Sequence, residues 1–169
     1  RDKNLNVLGI FNTHGHYDHI GAIEVLKKEF SIPFFLHSAD EKILKSANLY
    51  VKLFDGDSLI KIPMIDYYFD QKSSEKYINS FPINVLFTPG HTPGSVCFHI
   101  DEHLFTGDTL LKGKIGRVDL PGGHKKNLLK SLRIISKLPQ QTVIYPGHGD
   151  SSTIGDELSN NKSLFEILE

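Results

Sequence analysis

The sequence predicts a mixed α/β fold built in layers. Two observations carry that expectation. Short apolar segments bounded by Gly, Pro and polar clusters alternate with stretches of helical spacing along most of the chain. Three of the apolar segments then follow one another in the second half, as a meander of strands does. A chain of 169 residues, 39% of them hydrophobic, has material for one core, so residues 1–169 are expected to form a single domain.

Taken in order, Leu5 to Phe11 reads as a strand that ends in a polar cluster, Asn12 to His19. A helix should follow, with Ile20, Ile23 and Leu26 facing inward and Lys27 and Lys28 outward. Pro33 opens a second strand through Leu36. Ser38 and Glu41 have capping-box spacing, which predicts a helix over Ala39 to Ser46. Between Asn48 and Ser80 the pattern is weaker: a hairpin-like piece at Asp55-Gly56-Asp57 and a polar run, Gln71 to Lys76, read as a surface loop.

Strands are expected at Ile83 to Phe87, Ser95 to Ile100 and His103 to Phe105, the last two joined tightly at Asp101-Glu102. Lys112 to Gly123 reads as a Gly-rich loop. Lys125 to Leu138 is a helix with Leu128, Leu129, Leu132 and Ile135 on its apolar face, stopped by Pro139. A strand at Thr142 to Tyr145 and a closing helix over Gly155 to Leu168 complete the chain.

Composition removes several classes of function. Nineteen Lys and Arg against twenty Asp and Glu give a formal charge of −1, so charge draws the chain neither to nucleic acid nor to an anionic membrane. No apolar run approaches a membrane span. The single cysteine, Cys97, excludes an internal disulfide and points to a reducing compartment such as the cytoplasm. The first residue is Arg1, without a signal or transit pattern ahead of the first strand, which suggests a natural start further upstream.

The sharpest feature is Thr13-His14-Gly15-His16-Tyr17-Asp18-His19, three histidines and an aspartate within six residues, placed after a strand and before a helix. A purification-tag remnant would be a terminal run of histidine without the Asp. Three more lone residues follow apolar strands among Gly and Pro: His91 in Thr88-Pro89-Gly90-His91-Thr92-Pro93-Gly94, Asp108 in Thr106-Gly107-Asp108-Thr109, and His148 in Tyr145-Pro146-Gly147-His148-Gly149. Singly, each reads as a turn or a hydrogen-bonded histidine. Together, four strand ends can converge at one rim of a sheet.

Five histidines and two aspartates form the imidazole–carboxylate set of zinc, manganese or ferrous iron. Seven donors exceed a closed four-coordinate structural site and suit two ions sharing a carboxylate. Such ions, roughly 3.5–4 Å apart, can share a hydroxide of lowered pKa and clamp a hydrolytic transition state.

These motifs resemble the metallo-β-lactamase superfamily, and within it the glyoxalase II-like (hydroxyacylglutathione hydrolase-type) hydrolases. The run from His14 to His19, the stretch 88–95, Phe-Thr-Gly-Asp-Thr-Leu at 105–110, Gly116-Arg117 and Pro-Gly-His-Gly at 146–149 carry the likeness, which covers about Leu5 to Glu157. The resemblance implies an αββα sandwich of two mixed sheets with helices outside, here lacking its first N-terminal strands and the C-terminal helical glutathione-binding domain. It implies that His14, His16 and His91 hold one metal, Asp18, His19 and His148 the other, and that Asp108 bridges them. Two divalent ions are implied, zinc first, with iron or manganese as alternatives. Asp18 and Asp108 would be the catalytic carboxylates around a bridging hydroxide that attacks a small thioester or ester. Two other chemistries share the motif: a mono-iron persulfide dioxygenase using only His14, His91 and Asp108, and a lactonase-type hydrolase. A metal-stabilised binding domain without catalysis is a further reading. True β-lactamases of the superfamily often carry Cys where Asp108 stands, and its di-iron flavoproteins usually carry Glu where His16 stands. The partner expected is a small thioester or ester, with neither nucleic acid nor membrane.

Weaker expectations attach to single residues. Tyr17 is placed either to reach substrate or to pack beneath its loop. Lys114 and Arg117 are candidate contacts for a substrate carboxylate, against the ordinary reading of solvated loop charges. His124 is expected to cap the helix after it. His37, His99 and His103 read as strand or surface histidines, and Cys97 as a small core residue.

Overall fold

The structure, a computed structural model, describes residues 5–56, 59–70 and 81–168. Strands β1 (Ile10–Phe11), β2 (Phe34–Leu36) and β3 (Tyr67–Tyr68) pair in parallel as one sheet, in that order. The second sheet contains β4 (Asn84–Phe87), β5 (Val96–Ile100), β6 (His103–Gly107), β9 (Val143–Pro146) and β10 (Ser152–Thr153), in the order β10-β9-β6-β5-β4. Between β6 and β9 in sequence lies a small ribbon, β7 (Leu110–Leu111) with β8 (Lys114–Ile115). Among the described residues six α-helices accompany the sheets: α1 (Ile23–Phe30), α2 (Glu41–Lys45), α3 (Ala47–Phe54), α4 (Lys125–Ile135), α5 (Ile154–Asn160) and α6 (Lys162–Leu168).

Strand alternation sorts these elements into αββα layers. On β2, Phe34 and Leu36 pack with Ile20, Ile23, Leu44 and Ala47 from the first helices. Phe35 points the other way, stacking on Phe11 at 4.5 Å and on Tyr67 at 5.1 Å. On β5, Cys97 packs with Leu128, Leu132, Ile135 and Ile154 of the later helices. Phe98 takes the opposite face, edge-on to Phe11 at 6.0 Å and to Phe69 at 5.5 Å. An aromatic seam therefore joins the two sheets, and each sheet carries its own helices outside. No helix among the described residues is long and apolar enough to cross a membrane.

Several expectations are corrected. Only Ile10–Phe11 of the first segment is strand, because its partner β2 opens at Phe34; residues 5–9 have no ladder, and Leu5 and Leu8 are exposed. Leu26 faces solvent, while Lys27 is half-buried, with its ammonium 2.6 Å from Asp66. The Ser38–Glu41 capping box does not form. Ser38 instead donates to Asp70 at 2.5 Å, and His37 caps a short 3-10 turn, Ser38–Asp40, ahead of α2. Helix α3 occupies residues where the sequence pattern is weak. The Gly-rich loop holds β8. The closing helix breaks at Asn161, whose side-chain amide turns away to the carbonyl of Lys114 at 3.0 Å and to Glu157 at 2.7 Å. Asp57 and the run 71–76 lie outside the described residues. His124 does cap α4, its ring accepting from the Asn127 N–H at 3.2 Å.

The register explains why distant residues meet. β4 runs antiparallel to β5, β5 antiparallel to β6, and β6 parallel to β9. Hence β4, β6 and β9 point the same way, and the loops after them open on one rim. The fourth ligand-bearing strand, β1, belongs to the other sheet rather than to the same one. Its loop is drawn to that rim by the Val96 N–H, which donates to the Thr13 carbonyl at 2.9 Å.

Candidate metal centre

Four loops meet at this rim and bring together all seven of the His and Asp side chains singled out above. Their donor atoms form three overlapping groups: His14, His16 and His91; His14, His19 and Asp108; and Asp18, His19 and His148. Within each group the atoms lie within 4.8 Å of one another. His16 Nδ1 and His91 Nε2 are 3.0 Å apart. Tetrahedral nitrogens each about 2.1 Å from a zinc ion are about 3.4 Å apart, so this spacing is close to that of a ligand pair. Asp108 stands between the groups, Oδ1 at 3.7 Å from His19 Nε2, and Oδ2 at 3.6 Å from both His91 Nε2 and His148 Nε2. Asp18 Oδ2 is 3.1 Å from His148 Nε2 and 3.6 Å from His19 Nε2.

The electrostatics suit cation binding. Burial lowers His14 well below the ordinary imidazole range, with its neighbouring histidines adding to the effect. His16 falls to about 4 for the same reason, His91 reinforcing burial. Burial lowers His91 too, against the pull of the Arg117 carbonyl and Asp108. At His19, burial is outweighed by the Asp108 and Asp18 carboxylates, and the net shift is upward. Burial would raise Asp108, but the histidines, His19 first, hold it below the ordinary carboxylate value.

Three buried imidazoles thus stay neutral, the form a metal requires. The tautomer of one of them, His91, is also set from outside. The Arg117 carbonyl, an acceptor only, lies 2.9 Å from His91 Nδ1, which leaves the Nε2 lone pair facing the centre. Among the described residues, the buried side-chain atoms without any partner include His14 Nε2, His19 Nε2 and Asp108 Oδ1. Unmatched buried polar atoms cost about 1–3 kcal/mol each, and divalent ions held among these donors would satisfy all three. The donor set fits the group that the motif implies.

The loops are locked by a residue that sequence reasoning missed. Asp40, fully buried, accepts from the N–H of Gly15 at 2.8 Å, the N–H of Gly94 at 2.6 Å and the Thr92 hydroxyl at 2.7 Å. One carboxylate therefore ties the His14–His16 loop to the His91 loop. Burial pushes its pKa up, against those three hydrogen bonds. Position 94 has no room for a side chain, since a Cβ would sit 2.8 Å from the Asp40 carboxyl. Likewise, a Cβ on Gly147 would overlap Asp108 Oδ1. In the sequence Asp40 looked like any polar residue at a helix start; only its separation of 25 and 54 residues from Gly15 and Gly94 in space-filling contact reveals the role.

A cleft of about 330 Å³ opens over the centre. His16, Asp18, His91, Asp108 and His148 face it, and Tyr17, Tyr50, Phe54, Leu120 and Arg117 form the rest of its lining. Tyr17 both lines the cleft and packs against the core beneath; burial and the nearby Asp55 raise its phenol pKa. Arg117 lies at the cleft with its guanidinium engaged in a two-pronged pair with Asp119, both contacts 2.7 Å. Lys114 does not line the cleft: it is part of β8, paired with Leu111. Tyr50 and Phe54 were not singled out from the sequence, because α3 itself was not legible there, nor was Leu120, an apolar residue within the Gly-rich loop.

The chain matches the family model described as the Metallo-beta-lactamase superfamily over residues 1–148. It is 35% identical to the hydroxyacylglutathione hydrolase GloC of Haemophilus influenzae, with 96% of this chain and 77% of that protein aligned. Among solved structures, it is similar to TTHA1623 in a di-iron-bound form, with a TM-score of 0.85, 34% identity and coverage of 95% and 79% of the two chains. A structure of the B3 metallo-beta-lactamase BLEG-1 superposes with a TM-score of 0.86 at 37% identity, covering 96% and 79%.

Proposed function

This chain belongs to the metallo-β-lactamase superfamily and is a metal-dependent hydrolase, and from that premise we propose that it cleaves a small thioester or ester at a two-metal centre. The observation that carries the reading is the convergence of seven donors in overlapping groups, with buried nitrogen and oxygen atoms left unpartnered at their middle. His14, His16 and His91 would hold one ion, Asp18, His19 and His148 the second, and Asp108 would bridge them. Divalent ions so held supply a Lewis acid for a carbonyl oxygen and a water of near-neutral pKa. The relative named a hydroxyacylglutathione hydrolase supports the thioester class, and the neighbour solved with two irons supports a binuclear site.

The chain's own residues divide the remaining work. The neutral imidazoles of the buried trio carry no proton into the site, and the His91 tautomer is fixed by the Arg117 carbonyl. Asp18 and His148, on the solvent side, would complete the donor set of the second ion and leave that side of the centre open to water. Among the described residues that line it, the cleft offers no good general acid: the Tyr17 phenol is raised above its ordinary value, and Arg117 is a fixed cation. A thiolate, with a parent pKa near 8.5, leaves without one, whereas an amine does not. That favours thioesters and activated esters over amides.

The test is to count metals per chain by elemental analysis and to assay zinc-loaded wild type and Asp108→Ala on a thioester panel that includes lactoylglutathione. Two ions per chain with thioester turnover, both reduced in the variant, is the expected result. Undiminished turnover in Asp108→Ala, or one iron per chain with oxygen uptake on a persulfide, would overturn it.

A further inference from the structure

We propose that the cleft selects substrates carrying an uncharged apolar group beside the scissile bond, and that Tyr50 and Phe54 of α3 are the residues that select it. This rests on the thioester or ester reading above and names the substrate class that reading leaves open.

The argument begins with what the cleft offers beyond the proposed metal ligands. Tyr50 and Phe54 lie four residues apart on one helix face, their rings nearly parallel (3°) with centroids 6.5 Å apart. Together they make an apolar slab, and Leu120 adds aliphatic surface to the same lining. Phe54 is 58% exposed, so a substrate group laid against it removes from water apolar surface that the fold leaves uncovered. The slab is held in place. Ala47 and Val51 of the same helix are buried, and the Asn48 side chain grips both the N–H and the carbonyl of Ile60, at 2.9 and 3.0 Å. A preformed wall loses little freedom when it binds.

The charges point the same way. Arg117 is the one cation lining the cleft among the described residues, and Asp119 already takes both prongs of its guanidinium. To bind a substrate carboxylate, Arg117 would have to surrender a bidentate pair. Lys114, the other candidate cation, belongs to the β7–β8 ribbon and does not reach this lining. An anionic acyl or thiol arm therefore meets aromatic rings and a neutralised cation, whereas an apolar one meets complementary surface.

The experiment compares two thioesters of N-acetylcysteamine, phenylacetyl and succinyl, on the zinc-loaded enzyme and its Tyr50→Ala, Phe54→Ala and Phe54→Leu variants. It also measures binding of the phenethyl thioether of N-acetylcysteamine, which has no bond to cleave. Wild type should favour the phenylacetyl thioester by about tenfold or more in kcat/KM, the scale of one good aromatic contact. Either alanine variant should lose most of that preference and weaken thioether binding, while Phe54→Leu retains much of both. A preference for the succinyl thioester, or one unmoved in both alanine variants, overturns the proposal. If the thioether binds in a manner that needs Tyr50 and Phe54 but neither thioester is cleaved, the wall stands and the hydrolase reading falls.

Discussion

Replacing Asp40 with alanine should both destabilise the fold and loosen the metal centre, because one carboxylate serves both. The substitution removes the acceptor of two buried N–H groups, Gly15 and Gly94. Thr92 loses one partner but keeps the Ser95 hydroxyl at 2.6 Å. Each orphaned N–H costs about 1–3 kcal/mol. Part of that is returned, because the carboxylate itself is buried unfavourably, as its raised pKa records. The net is about 3 kcal/mol, which for a chain of this size is a fall in Tm of about 6–12 °C. Asp40→Asn keeps one acceptor and turns an amide NH2 toward a backbone donor, so about half that loss is expected.

The two loops released carry His14, His16 and His91, and loss of such an outer anchor typically weakens metal binding by about 10–100-fold. Thermal unfolding followed by circular dichroism gives the first quantity, and zinc competition against a chromophoric chelator the second. An Asp40→Ala protein with unchanged Tm and unchanged zinc affinity would refute the reasoning. A stability loss with intact affinity would refute the coupling alone, by showing that the loops hold their ligands without the tie.

Three shorter predictions use other parts of the structure. Lowering the pH from 7 to 5 should weaken the metal-free protein in urea denaturation. The sign follows from His16: its folded value is about 4, so below 6.5 the unfolded chain binds a proton that the folded chain refuses, worth about 2 kcal/mol at pH 5. His19, shifted upward, offsets part of this, and a flat profile between pH 7 and 5 would count against the buried trio being neutral. Cys97, buried with its thiol pushed up to about 12, should not react with Ellman's reagent at pH 8 until urea is added, and then one thiol per chain should appear. Gly147→Ala should cut zinc affinity more than it cuts Tm, since the new Cβ displaces Asp108; equal affinity would show that Asp108 can move without consequence.

What the sequence revealed, and what it concealed, has a physical pattern. The seven ligand candidates were legible because metal chemistry demands rare residue types at strand ends, and His14, His91, Asp108 and His148 each follow an apolar segment. The later strands and α4 were legible from periodicity, since Leu128, Leu132 and Ile135 all turn to one core. Helix α3 was not, because its outward face carries Leu49, Leu53 and Phe54, which blurs the amphipathic signal. Of these, Phe54 lines the cleft together with Tyr50, so the segment that defied periodicity supplies part of the cleft wall. Asp40 and Asn161 were hidden for a different reason. Their partners are distant backbone groups, and a backbone N–H or carbonyl has no sequence signature. Even the failed capping box belongs here: Ser38 had the right spacing, but Asp70, thirty-two residues away, offered its hydroxyl a charged acceptor.

The centre is built asymmetrically, and the asymmetry predicts from which side chemistry occurs. His14, His16 and His91 are almost wholly shielded, with their loops cross-tied by Asp40 and their protons excluded by burial. Asp18 and His148 are 38% and 55% exposed in their side chains and are joined chiefly to each other, at 3.1 Å. A shielded trio cannot readily exchange ligands, because each departure would leave a buried nitrogen without a partner. An exposed pair can, since water replaces what it loses. On the two-metal reading, ion exchange, water entry and product departure would belong to the Asp18–His148 side. Substitution of His148 should accordingly speed the loss of one metal of the two while leaving the other in slow exchange. The measurement is the rate of zinc release to excess chelator, which should change from one mixed phase to two well-separated phases. Two ions lost together at a single faster rate would mean that Asp108 couples the halves more tightly than burial separates them.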